Sequence, residues 1–184
     1  MVHLTAIQRE KYGMTEEKRV YLIAHLDDVA NRKLDELYDL LRAAGLTGAQ
    51  KADFPHHITL GEYDLSQEAQ ALALTKAVCA RTAPFTVELN HLGLFGTSVL
   101  FAGLSVNHEL LTLHEALMGT VLWKGGVEWV AHATLLMDEP EAVLRAVPIA
   151  AQAFSPMRAT IDSVGVFEYA PSKLLARYPL SGAR

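Results

Sequence analysis

Two stretches of this chain are versions of one another. Phe85 to Phe95 matches Met157 to Phe167 at an offset of 72 residues: the apolar positions coincide, and so do Gly93 with Gly165 and the closing phenylalanine. Further on, Ser98-Val99-Leu100-Phe101-Ala102 resembles Ser172-Lys173-Leu174-Leu175-Ala176 at an offset of 74. A third pair precedes each of these. His57-Ile58-Thr59-Leu60 and His132-Ala133-Thr134-Leu135 read histidine, apolar, threonine, apolar, at an offset of 75. Three segments in the same order at nearly one spacing indicate a supersecondary unit that occurs twice, not a longer array. The chain is expected to be a single domain over 1–184 with an approximate internal repeat, 19–95 and 97–180.

Side chains of an extended strand alternate between faces, so His57 and Thr59 share one face while Ile58 and Leu60 anchor the other. The same holds for His132 and Thr134. With 8 histidines in the chain, one such match carries little weight. His3-Leu4-Thr5-Ala6 fits the pattern too, yet it runs into Gln8-Arg9-Glu10-Lys11 and has no place in the repeat. What counts is the paired occurrence. Side by side, two such strands would bring two imidazoles and two hydroxyls to one cleft, a donor set suited to phosphate.

The coarse pattern alternates strands with helices. Arg19 to Leu26 is a continuous apolar run, short enough for a buried strand. Asp27-Asp28 caps a helix with Leu34, Leu37, Leu40 and Leu41 at helical spacing, and Gly45 stops it. The segment 47–54 is a loop, and His56 to Tyr63 is a strand with the first tetrad. A helix follows from the Asp64 and Ser66 caps through Leu72, Leu74 and Val78 until Pro84 breaks it. Phe85 to Leu89 alternates as a half-exposed strand, and Val99 to Leu104 is an apolar one. Asn107 caps a helix carrying Leu110, Leu111, Leu113, Leu117 and Val121, and Lys124-Gly125-Gly126 makes a turn. Glu128 to Met137 is the second tetrad strand, Asp138-Glu139-Pro140 opens a helix, and strands near Arg158 to Val166 and Lys173 to Leu180 close the chain. The expected class is α+β: two pseudo-symmetric lobes, each an antiparallel-rich sheet flanked by helices, with the active-site cleft between them.

Composition narrows the function. A net charge of −5 supplies no footprint for gripping long nucleic acid by its backbone, though a few local donors can hold a small anion. The lone Cys79 lies in an apolar helical stretch and reads as a small core residue. No apolar run reaches membrane-span length, and Glu16-Glu17-Lys18-Arg19 stands where a signal peptide would be apolar, so a cytoplasmic location is expected.

The two tetrads, with Leu92-Gly93-Leu94-Phe95 and the apolar strand after it, resemble the two-histidine phosphoesterase superfamily and, within it, the 2′–5′ RNA ligase and cyclic phosphodiesterase branch. The likeness runs from about Tyr21 to Leu180. Many members carry an arginine soon after the second tetrad, where this chain has Leu136-Met137. The resemblance implies a bilobal fold and metal-independent opening of 2′,3′-cyclic phosphates on nucleotides or RNA ends, or reversible 2′–5′ ligation. It needs no cofactor and no membrane, and a monomer is expected. Histidine ionises near pH 6.5 and can serve as acid or base. The resemblance assigns His132 as base and His57 as acid, with Thr59 and Thr134 binding the phosphate. Tyr63, Phe95, Phe167 and Tyr169 are candidates to stack on a base, and Lys173 and Arg177 to meet phosphate. His25, on the face with Tyr21 and Ile23, is a candidate to line the cleft, and His56 faces away from His57. Two rivals stand beside this reading: a nucleotide-binding sensor that uses the same cleft without turnover, and a metal site built from His25, His56, His57 and His132.

Overall fold

A computed structural model describes residues 18–48, 55–119, 129–169 and 171–183. Seven strands and four helices are found among them: β1 (Arg19–Leu26), α1 (Asp28–Ala43), β2 (His57–Asp64), α2 (Glu68–Arg81), β3 (Phe85–Phe95), β4 (Val99–Ser105), α3 (His108–Leu117), β5 (His132–Met137), α4 (Pro140–Ala153), β6 (Met157–Tyr169) and β7 (Lys173–Pro179). A 3-10 turn at Leu65–Gln67 leads into α2. His3, Val121 and Lys124-Gly125-Gly126 lie outside the described residues.

The helix starts follow from their caps. Asp27 accepts the Ala30 N–H at 2.9 Å, and Asn107 accepts the Leu110 N–H at 2.9 Å, each satisfying a first-turn donor that the helix leaves open. The second Asp27 oxygen takes the Thr160 N–H, which ties the head of α1 to β6. Ala30, Leu34, Leu37 and Leu41 form the buried stripe of α1, and they pack with Val20, Leu22 and Ala24 of β1 in the core. Truncating Leu34 to Ala would cost about 2–5 kcal/mol. Cys79 is buried, and burial pushes its thiol up to about 11. Among the described residues no helix is long and apolar enough to cross a membrane.

The α+β class is as expected, but the two sheets are one. All the strands join a single antiparallel sheet in the order β2-β1-β6-β3-β4-β5, with β7 beside β6. The junction is the β3–β6 ladder, which is symmetric about Val87 and Ala159: Phe85 faces Ile161 and Leu89 faces Met157. Val87 and Ala159 are 72 residues apart, the offset of the first sequence match. From this centre β6 leads to β1 and β2, while β3 leads to β4 and β5.

The β4 and β7 likeness does not carry into position. Ser163 faces both His25 and Pro179, and Ile161 faces both Leu26 and Phe85, so β7 lies on the side of β6 that also meets β3. The strand beside each tetrad strand is therefore β1 in one half and β4 in the other. Two other boundaries shift. β3 runs unbroken to Phe95 across an irregularity at Asn90, and β5 begins only at His132. His56 stays outside β2, bonded to Asp35 at 3.1 Å and edge-on to Tyr38, so it fastens the strand to α1.

Candidate active site

Each tetrad opens a strand at one end of the sheet. The ends β2 and β5 are not hydrogen-bonded neighbours, yet their Cα atoms come within 8 Å. The Trp129 indole, three residues before His132, donates across the gap to the Thr59 carbonyl at 2.9 Å. His114 of α3 donates to the next carbonyl, Leu60, at 2.8 Å and stacks on Trp129 with ring centroids 3.8 Å apart. The two tetrad histidines are close enough that a charge on His132 lowers the proton affinity of His57.

Both tetrad strands carry the same irregularity. Ile23 faces Thr59 and Leu22 faces Gly61, leaving Leu60 as an extra residue; Phe101 faces Thr134 and Leu100 faces Leu136, leaving Leu135 extra. A β-bulge thus falls on the fourth residue of each tetrad. Beyond it the alternation reverses. Glu62 and Met137 continue the faces of His57 and His132, while Tyr63 turns into the core. Strict alternation from His57 would put Tyr63 on the tetrad face; instead it is 2 % exposed, and its hydroxyl donates to Leu117 O at 3.1 Å. It cannot stack on a base.

The imidazoles themselves are matched. His57 Nδ1 lies 2.7 Å from Pro55 O, and His132 Nδ1 lies 2.7 Å from Val130 O, each carbonyl two residues back. A carbonyl only accepts, so Nδ1 carries the proton and the neutral ring keeps its lone pair on Nε2. Burial pushes His57 down to about 4, against the pull of the Pro55 carbonyl and helped by the neighbouring His132, His25 and His56. Burial lowers His132 as well, again against its carbonyl. At neutral pH both are uncharged acceptors, and an arriving anion would favour the charged form of either.

Around His132 the walls are aromatic. Phe95 meets it edge-on at 4.8 Å and Phe101 lies at 5.2 Å, the two phenylalanines themselves 4.4 Å apart. Phe95 is thus in the site, set against the histidine. Around His57 the neighbours are polar. His25 stands directly opposite it on β1, with Ser163 of β6 next in the row. Arg177 of β7 donates from Nε to Ser163 Oγ at 2.9 Å, and Ser163 in turn donates to Asp162 at 2.7 Å. Tyr169 packs edge-on against Tyr21, centroids 5.9 Å apart, two residue pairs beyond Gly165 on the same face. Phe167 is buried with its ring 6.1 Å from His25, in the wall and not open for stacking.

Lys173 corrects an expectation. It faces Glu168 on β6, one position out of step with Phe167 and Gly165, and so projects on the sheet face away from His57. Arg177, opposite Gly165, is on the tetrad face. Sequence reasoning missed Trp129, His114 and Phe101. Only Trp129 left a local signal, an amphipathic ring just ahead of the second tetrad. Among the described residues, no three His, Cys, Asp or Glu are grouped so as to hold a metal ion.

The profile of the 2′-5′ RNA ligase superfamily matches residues 26–173, most of the chain. The chain belongs to the 2′-5′ RNA ligase superfamily. Solved structures with this fold include LigT of E. coli complexed with 3′-AMP, 20 % identical, with a TM-score of 0.61 over 90 % of this chain and 99 % of that one. TT0787 of Thermus thermophilus is 17 % identical, with a TM-score of 0.63 over 90 % and 100 %. A structure described as a phosphoesterase is 18 % identical, with a TM-score of 0.59 over 89 % and 99 %. No curated protein sequence matches. Membership in the 2′-5′ RNA ligase superfamily supports an enzyme with phosphoesterase or RNA ligase-type activity.

Proposed function

We propose that this chain opens 2′,3′-cyclic phosphates of nucleotides or RNA ends without a metal, and that His57, His132, Thr59 and Thr134 carry the reaction. One observation supports it above the rest: two imidazoles at facing sheet ends, each with Nδ1 held by the carbonyl two residues before it, which makes Nε2 the nitrogen that carries the lone pair in the neutral ring. His132 Nε2 takes a proton from water as the water oxygen bonds to phosphorus. The bond from phosphorus to one ribose oxygen breaks, and protonated His57 gives that oxygen its proton. Thr59 and Thr134 donate to the non-bridging oxygens, where charge grows. In 2′–5′ ligation the two histidines exchange roles.

The allocation of acid and base follows the family. E. coli LigT, which shares the fold, was crystallised with 3′-AMP, so the product class taken here is a nucleoside 2′- or 3′-phosphate. The test is a panel of 2′,3′-cyclic nucleotides and 2′–5′ linked oligonucleotides, with products resolved chromatographically as 2′- or 3′-phosphates. One isomer should dominate, and H57A and H132A should each lose about three orders of magnitude in kcat. A melting-temperature shift with no product would make the chain a nucleotide sensor instead. A variant that keeps most of its turnover would remove that histidine from the mechanism.

A further inference from the structure

The side of the site beyond His57 holds polar groups that ring opening alone does not use. His57, His25 and Ser163 form a row across β2, β1 and β6, each directly opposite the next. Strands lie about 4.8 Å apart, which puts Ser163 roughly 10 Å from the His57 backbone. The His25 ring leans away from His57 over Gly165. A Cβ on that glycine would come 2.6 Å from His25 Nε2, so only glycine leaves the ring its place. His25 is 7 % exposed, and its Nε2 is buried with no hydrogen-bond partner among the described residues. Burial of a polar nitrogen without a partner is costly, and such atoms mark strain or a ligand.

Arg177 completes the group. Its Nε is held by Ser163, one terminal nitrogen lies 3.6 Å from Asp162, and the side chain is half exposed. The anchor holds the guanidinium beside His25 while about half of the side chain remains exposed. A fixed arginine fork with an imidazole nitrogen beside it is suited to a phosphoryl group. We propose that His25 and Arg177 form a second phosphate subsite, holding the 5′-phosphoryl group of the nucleotide whose 3′ end is opened between His57 and His132. This rests on His57 being the acid. The ribose then lies on the His57 side of the phosphorus, and its 5′ carbon extends along the row towards Arg177. The group can be the phosphodiester of an RNA chain or the phosphomonoester of a free nucleotide.

The experiment compares kcat/KM for adenosine 2′,3′-cyclic phosphate, its 5′-phosphorylated form, and the dinucleotide ApA ending in a 2′,3′-cyclic phosphate. The wild type should prefer the 5′-phosphorylated substrates by about tenfold or more, R177Q should lose that preference, and R177K should keep part of it. H25F, which keeps an aromatic ring but lacks Nε2, should lower the same ratio. Preference for the dinucleotide alone supports the subsite with an RNA chain as the source; preference for both extends it to free nucleotides. Equal rates for all three in the wild type, or an unchanged ratio in R177Q, would overturn it. Calorimetry with 3′-AMP and adenosine 3′,5′-bisphosphate separates the two readings. If no substrate is opened but the bisphosphate still binds about tenfold tighter in an Arg177-dependent way, the subsite stands and the phosphodiesterase reading falls.

Discussion

His25 should make this protein sensitive to mild acid, and replacing it by phenylalanine should remove that sensitivity. Burial, and then the Arg177 charge, push its folded pKa down to about 4, against an ordinary value of 6.5, with Asp162 opposing. Above pH 6.5 the ring is neutral in both states and contributes no pH dependence. Between pH 6.5 and about 4 the unfolded chain binds the proton and the native state does not, so stability falls as pH falls. The full difference is about 3 kcal/mol, of which roughly 2–3 kcal/mol has been lost by pH 4.5. In a chain of this size that is about 5–10 °C in Tm. Since Nε2 has no partner among the described residues, H25F forfeits no hydrogen bond at pH 7.5; the larger ring costs about 1–3 kcal/mol in packing at either pH, so the change in stability between the two pH values is what reports His25. His57 titrates in both proteins, so the comparison cancels it. Urea unfolding at pH 7.5 and 4.5 measures the effect. An H25F variant losing as much stability as the wild type over that interval would show that His25 does not carry the burial cost.

Burial lowers both tetrad histidines, so the bell in kcat/KM, which reports the free enzyme, should centre below pH 6.5, and the kcat bell should lie higher once a phosphate anion is bound. A kcat/KM optimum at pH 7.5 would contradict this. Trp129→Phe keeps the stack on His114 but deletes the bond to Thr59 O; it should cost about 1 kcal/mol in stability and lower kcat more than it raises KM. Unchanged kcat would mean that the bond does not position the tetrad. Tyr63→Phe should cost about 1 kcal/mol through Leu117 O while leaving KM alike for purine and pyrimidine substrates. A rise in KM confined to one base would return Tyr63 to the substrate.

That His57 shares a strand face with Thr59, and His132 with Thr134, was legible because a two-residue period needs only one strand to be read. Tyr63 and Lys173 were not, because a bulge is a property of two strands. Nothing in Thr59-Leu60-Gly61 counts the residues that β1 will place opposite it; in β5 the consecutive Leu135-Leu136 is a local hint that alternation fails. Lys173 and Arg177 sort onto opposite faces only once β7 pairs with β6, across an irregularity at Leu175. His114 reaches β2 from 54 residues away and Trp129 from 70, contacts that no local pattern encodes. The repeat, by contrast, was readable at its centre, since the 72-residue offset is the register of the β3–β6 ladder. It failed for β7, whose apolar strand pattern resembles β4 without sharing its neighbours.

The location of the site follows from how a sheet must treat its ends. An edge strand offers unpaired carbonyls and amides to any other chain, and proteins cover such edges. Here the ladder symmetry sends a tetrad strand to each end, and right-handed twist accumulated over the intervening strands helps turn the two ends towards one another. They do not pair. The Thr59 and Leu60 carbonyls are taken by two side chains, Trp129 and His114, where a pairing strand would otherwise supply amides. Side-chain donors satisfy the edge without filling the space in front of it, as strand pairing would have done. The gap between two edges that approach but do not join lies between the strands that carry His57 and His132, and the phosphate proposed to bind there requires that the two edges stay unpaired.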